Sequence, residues 1–330
     1  MANVTVLGAG AWGTAFGQVL ADAGNNVTMW AIEPEIVEGI RDHHHNGVRL
    51  PSVEMLPSNM TATGDRAEAV ANADIVIVAI AAQFARVALT EFKGLIPETA
   101  LVASLMKGIE RTTGKRMDEV VMETLDLPAE RFAAISGPNL SKQIADREPA
   151  ATVVGCADID NARKIATACT TDYFRAFVTR DVIGLEMCGS LKNVVALAVG
   201  MARGAGSGEN PAAMIETRGL AELTALGEAA GADPKTFAGL AGVGDLIATC
   251  GSPLSRNYTF GSNLGKGLSV EEATKVSNGV AEGVPTTDVA LGKQYGVPTP
   301  LATAMSHVLD DGISCAQMLS ELFGEGITEE

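Results

Sequence analysis

The first half of the chain alternates short apolar runs with amphipathic stretches. The apolar runs predict strands at 4–7, 27–30, 60–63, 75–80, 101–104, 132–135, 152–154 and 174–179. Between them, apolar positions recur at helical spacing over 14–23, 34–41, 66–71, 115–125 and 159–168. Nearly continuous apolar strands alternating with helices predict a parallel sheet covered on both faces. From Val182 onward the pattern becomes helix after helix, punctuated by glycines and by Pro211, Pro234, Pro253, Pro285, Pro298 and Pro300. No repeat, low-complexity segment or flexible linker separates the halves. The expectation is an α/β domain over residues 1–180 and an all-α domain over 181–330. They would meet at a packed hinge, with the site in the crevice between them.

Length and composition sharpen this picture. At roughly 150 residues per domain, 330 residues suit two domains. A hydrophobic fraction of 47% excludes disorder. No run is read as approaching the ~18–20 apolar residues of a membrane span, so no stable membrane anchor is expected. The 40 acidic against 24 basic residues leave a charge of −16, which argues against a nucleic-acid or anionic-membrane partner. An anionic ligand would have to be held by a few cations against that field. The five cysteines are odd in number and form no C-x-x-C pair, so neither a disulfide framework nor a zinc site is expected. The N-terminus lacks a basic segment followed by an apolar one, and a cytoplasmic protein is expected. His43, His44 and His45 are consecutive; on a helix they would point about 100° apart and share no ion easily. No metal is expected, and one of these histidines is placed near the adenine side of a nucleotide site.

The glycine pattern supplies the first candidate chemistry. Gly8-Ala9-Gly10-Ala11-Trp12-Gly13 follows a predicted strand and opens a predicted helix. Gly8 suits the tight turn, Gly10 the close approach of backbone to a pyrophosphate, and Gly13 the packing of helix on sheet. The helix N-terminus adds N–H donors and partial positive charge. Between a strand and a helix this reads as the signature of a Rossmann-like dinucleotide-binding domain, the alternative being a plain glycine turn. Glu33 follows the second strand, about 20 residues beyond Gly13. An acid there accepts from a free ribose 2′-hydroxyl and leans the choice towards NAD; the alternative is a carboxylate favoured by the first turn of the next helix.

Two lysines stand out. Lys107 lies just past the strand 101–104, at the end that faces the ligand crevice in open parallel sheets. Lys192 is the only charge between Met187 and Ala202. A helix apolar all round is buried, and a buried lysine has a partner and a lowered pKa unless its head snorkels to the surface. Asp245, after Gly239, Gly242 and Gly244, either caps a helix or orients Lys192. Ser255, Arg256 and Asn257 follow, a guanidinium fork between two neutral donors, suited to phosphate.

Together these blocks closely resemble the bacterial-type NAD(P)-dependent glycerol-3-phosphate dehydrogenases. The likeness runs in order along nearly the whole chain, through residues 8–15, 107–110, 135–138, 191–194, 217–222, 241–246, 255–257 and 280–283. It implies reversible reduction of dihydroxyacetone phosphate to sn-glycerol 3-phosphate for phospholipid synthesis, using NAD or NADP, by a homodimer. It implies that Lys192 is the general acid/base, and that Lys107, Gly137, Asn139, Asp245, Ser255, Arg256 and Asn257 line the substrate. Gly8, Gly10, Ala11, Trp12, Gly13, Glu33, Ser141, Val280 and Glu282 fall at the dinucleotide, with Lys107 and Arg256 near both ligands. Three positions depart from the family pattern. Ile32 stands where a basic residue is frequent, which weakens NADP. Asn139 replaces a hydroxyl residue, so a substrate contact becomes an amide or is lost. Ala81-Ala82-Gln83 lacks a common proline, which loosens the loop beside the nicotinamide. The asparagine adjacent to the lysine separates the chain from 6-phosphogluconate-type dehydrogenases, whose asparagine comes four residues later.

Overall fold

Val76 and Val78 point into one core while Ile75 and Ile77 point into another. That is why this segment reads as an unbroken apolar run: both faces of the sheet are covered. The computed structural model describes residues 1–276, 281–287 and 291–324. Its strands are β1 (Asn3–Leu7), β2 (Asn26–Trp30), β3 (Met60–Thr63), β4 (Ile75–Val78), β5 (Leu101–Ser104), β6 (Phe132–Ser136), β7 (Ala150–Cys156) and β8 (Phe174–Thr179). They form one sheet in the order β3-β2-β1-β4-β5-β6-β7-β8. The covering helices are α1 (Ala11–Asp22), α2 (Pro34–His43), α3 (Arg66–Val70), α4 (Ala85–Thr90), α5 (Met117–Leu125), α6 (Ser141–Ala145) and α7 (Ile159–Ala168). Strands β1 to β6 are mutually parallel, a Rossmann-like arrangement. The strand order reverses between β1 and β4, so their C-terminal ends open a crevice for ligand.

One expectation needs correcting: the sheet is mixed, because β7 runs antiparallel to β6. A parallel return needs a crossover of a dozen or more residues, usually with a full helix. The connector 137–149 holds only the short α6, which packs beside α1 instead of crossing the sheet. The chain therefore re-enters at the end it left. Ala151 and Thr152 lie beside Gly137 as a result, and the Thr152 hydroxyl donates to the Ser136 carbonyl at 3.1 Å.

After Thr179 the remaining described elements are helical: α8 (Val182–Gly204), α9 (Glu209–Ala229), α10 (Pro234–Phe237), α11 (Asp245–Cys250), α12 (Arg256–Gly265), α13 (Val270–Val276), α14 (Gly283–Thr287), α15 (Leu291–Tyr295), α16 (Pro300–Asp310) and α17 (Cys315–Phe323). Contrary to the sequence expectation, α8 is long and apolar enough to cross a membrane. Its residues 184–202 are instead buried inside the protein, where α9, α12 and α16 pack against it. Leu185 and Met187 share one core with Val102 and Phe132 of the sheet, so the two halves are welded along α8.

The contact between α8 and α12 is backbone to backbone. A Cβ on Gly261 would lie 2.0 Å from the Leu197 carbonyl oxygen, and one on Gly200 would lie 2.1 Å from that of Tyr258. Gly204 and Gly265 repeat the arrangement one turn on. We expect Gly261→Ala to force the helices apart and to cost about 2 kcal/mol or more, as overpacking does. A lowered urea midpoint at unchanged m-value checks this.

Candidate active site

The turn from β1 into α1 is built by glycine geometry. Gly8 has φ of +112°, and a Cβ there would sit 2.6 Å from the Ala79 carbonyl oxygen. A Cβ at Gly13 would sit 2.2 Å from the Gly8 carbonyl oxygen. Gly10 differs: a Cβ there would meet nothing within 4 Å. It precedes α1 in an extended conformation, and no side chain caps the helix. The first-turn N–H groups, those of Ala11 and Trp12 among them, are left without a side-chain cap, which fits a pyrophosphate. Asn46, which the sequence reading passed over, supports this turn. Its buried amide donates to the Ala9 carbonyl at 3.0 Å and to the Thr14 hydroxyl at 2.8 Å. An asparagine in an irregular loop carries no periodic signal that would have exposed it.

In the helical half, Lys192 is buried midway along α8. Its Nζ donates to Asp245 Oδ1 and, at 2.7 Å, to Thr249 Oγ1. Lys107 Nζ donates to the other carboxylate oxygen of Asp245 at 2.7 Å and to the Gly137 carbonyl at 3.0 Å. One carboxylate thus bridges two ammonium groups, one from each half of the chain. Asp245 is the first residue of α11 and follows a wide π-type turn at Leu240–Gly244. Its side chain caps no helix. Burial lowers the Lys192 pKa to about 8; Asp245 works against that fall and the neighbouring Lys107 adds to it. Burial also presses the Asp245 carboxyl upward, but the two ammonium groups outweigh it and hold its pKa below the usual value. Thr249 is a second residue that sequence reading missed. The signal was present, since a position four residues after Asp245 on a helix shares its face.

The N-terminal domain of the NAD-dependent glycerol-3-phosphate dehydrogenase family matches residues 3–162, and its C-terminal domain matches 181–320. The chain belongs to the NAD-dependent glycerol-3-phosphate dehydrogenase family. A glycerol-3-phosphate dehydrogenase [NAD(P)+] of Bifidobacterium longum is 82% identical over 99% of both chains. That of Corynebacterium kroppenstedtii is 48% identical over 98% of both. The crystal structure of glycerol-3-phosphate dehydrogenase from Coxiella burnetii aligns with a TM-score of 0.92 at 30% identity, covering 98% of this chain and 99% of that one. NAD or NADP is accordingly the cofactor class of this family.

The other predicted positions have distinct surroundings. Ser255 Oγ accepts from the Tyr258 N–H and caps α12, while Arg256 is exposed on its first turn. The amide of Asn257 donates to Asn193 at 2.9 Å, and its carbonyl accepts from the Gly283 N–H at 2.9 Å. Asn193 in turn donates weakly towards the Lys107 carbonyl, 3.4 Å away. These two asparagines tie α8, α12 and the Lys107 loop together. Asn139 faces β7: it donates to the Ala151 carbonyl at 3.1 Å and accepts from Thr152 at 3.0 Å, so its amide is engaged within the protein. Ser141 begins α6, half-buried. Val280 lies outside the described residues.

Glu282 Oε1 accepts from the Ala82 N–H at 3.2 Å, whereas its buried Oε2 has no hydrogen-bond partner among the described residues. Burial raises the Glu282 pKa, opposed by the Ala82 N–H and Arg256. The 81–83 loop, expected to be loosened, is tied down. Gln83 donates to the Ile109 carbonyl at 2.8 Å and accepts from the Arg111 N–H at 3.1 Å. The histidine run leaves its helix: His43 ends α2, His44 adopts φ of 47°, and His45 Nδ1 bonds the Val53 carbonyl at 2.8 Å.

Proposed function

We propose that this chain reversibly reduces dihydroxyacetone phosphate to sn-glycerol 3-phosphate with NADH or NADPH, feeding glycerophospholipid synthesis. The observation that carries this reading is Lys192: a buried ammonium, tuned towards neutral pH, at the junction of the dinucleotide crevice and the helical half. Residues 1–180 hold the dinucleotide and residues 181–330 supply most of the substrate contacts. The turn at Gly8, Gly10 and Gly13, with the N–H groups of Ala11 and Trp12, receives the pyrophosphate. Glu282 Oε2, without a partner among the described residues, suits the carboxamide end, and the family likeness assigns Ser141 and Val280 to the dinucleotide. When bound there, the reduced nicotinamide would supply the hydride that the carbonyl carbon accepts.

Lys192 then acts as general acid. Its Nζ gives a proton to the carbonyl oxygen as the C=O π bond breaks, and takes it back in the oxidative direction. Asp245 and Thr249 fix that ammonium, and Lys107 adds positive charge beside the developing alkoxide. Arg256, with the donors of Ser255 and Asn257 on the same turn, grips the phosphate, and this remote anchor orients the carbonyl. The engaged amide of Asn139 serves the substrate indirectly, by fixing β7 against the Gly137 turn. A cytoplasmic homodimer agrees with five unpaired cysteines and a helical half rich in alanine and glycine. Steady-state reduction of dihydroxyacetone phosphate with NADH and with NADPH tests the proposal. Turnover with at least one is expected; none with either removes it.

A further inference from the structure

Glu33 sits where a free ribose 2′-hydroxyl is recognised, yet its carboxylate is already shared. It precedes α2 without capping it. Its Oε1 accepts instead from the guanidinium of Arg49 at 3.1 Å. Both side chains are partly exposed, 34% for Glu33 and 49% for Arg49, so the pair faces solvent. Such a pair is weakly held and readily exchanged. One of the five N–H donors of the guanidinium contacts Glu33, in a geometry that also suits phosphate.

The position of Arg49 is not accidental. Its backbone N–H donates to Asn46 Oδ1 at 3.1 Å, and the same asparagine holds Ala9 and Thr14 of the phosphate turn. A single buried side chain therefore fixes Arg49 relative to the pyrophosphate site. Ile32 and Val48, the residues preceding Glu33 and Arg49, expose apolar surface at 72% and 54%, as the rim of a base-binding slot does. Arg41 is paired with Asp42, and Arg66 lies over the Trp30 ring, 5.5 Å from its centroid, with its buried Nε unpartnered among the described residues.

We infer that Glu33 and Arg49 form a two-position selector for the 2′ group of the adenosine ribose, which rests on the dinucleotide reading above. A free 2′-hydroxyl donates to Glu33 while Arg49 stays paired. A 2′-phosphate draws the guanidinium from Glu33 to itself, so the acid that should exclude NADP no longer does. Arg49, outside the strand-end position where selectivity is usually read, is then the residue on which NADPH use depends.

The test uses two cofactor fragments: 2′,5′-ADP, which carries the 2′-phosphate, and 5′-AMP, which carries the free hydroxyl. Their dissociation constants are measured calorimetrically on the full chain and on Arg49→Ala and Glu33→Gln. Arg49→Ala is expected to weaken 2′,5′-ADP by about 10- to 100-fold, the loss of charge-assisted hydrogen bonds, and to move 5′-AMP far less. Glu33→Gln is expected to shift the preference the other way, tightening 2′,5′-ADP and weakening 5′-AMP. Ratios of kcat/KM for NADPH and NADH should follow. Equal changes for both fragments, or none in Arg49→Ala that keeps its thermal midpoint, overturn the selector. Failure of the unaltered chain to bind either fragment overturns the dinucleotide site itself, and the selector with it.

Discussion

Lys192→Met is expected to lower kcat for dihydroxyacetone phosphate reduction by about a hundredfold or more, the contribution of a positioned general acid. Methionine keeps the length and apolar stem of lysine and loses only the ammonium, so the core around α8 has no reason to collapse. Asp245 retains Lys107 as partner, and the phosphate turn is built by other residues, from Gly8 to Gly13. The dissociation constant for NADH should therefore change little. The pH profile gives a second reading. With its pKa lowered to about 8 by burial, Lys192 is mainly an ammonium below that pH and mainly an amine above it. Reduction, which consumes the proton, should be level below about pH 8 and decline above it. Oxidation, which needs the amine, should rise through the same range. Substantial reduction by Lys192→Met, with the break near pH 8 retained, would assign the proton to another group.

Much of this site is legible in the sequence because it breaks local rules. A lone lysine in a helix apolar all round demands a partner, and an aspartate behind three glycines is a reasonable one. The glycines before α1 announce their turn for the same reason: each stands where a side chain would collide or block. What remained hidden is set by geometry that no periodicity encodes. The direction of β7 depends on α6 being too short to cross the sheet, not on any property of β7 itself. The bridging of Lys107 to Asp245 joins residues 138 positions apart and follows from docking the two halves. The membrane-like apolarity of α8 extends beyond the stretch from Met187 to Ala202 that reads as a buried helix, and its lysine and asparagine are themselves buried and paired. Asn46 and Arg49 escaped notice because loop residues are read by their contacts alone. Glu186, also on α8, is of the same kind: burial raises its pKa well above the usual range, and nothing in its neighbours forecasts that.

Asp245→Asn should have the second large effect, and on two observables at once. The substitution keeps the shape and removes the one charge that two ammonium groups share. Breaking a buried ion pair typically costs about 3–5 kcal/mol. The full penalty is not expected here, because Lys192 can escape it by losing its proton. Asp245 normally raises the Lys192 pKa, so its loss lets burial and Lys107 drive that pKa further below 8. Reduction at neutral pH should fall at least about tenfold, with the break in the profile displaced to lower pH rather than abolished. The stability difference has its own pH signature. The Asp245 pKa is depressed in the folded protein, so its stabilisation is present above the ordinary aspartate range and lost as pH falls through the folded value. Urea midpoints of the variant and the unaltered chain should therefore be well separated at pH 7 and converge in acid. An unchanged break near pH 8 would mean that Lys192 is tuned by burial alone. A stability gap independent of pH would mean that Asp245 acts through packing, and its place between two lysines would then be structural and not electrostatic.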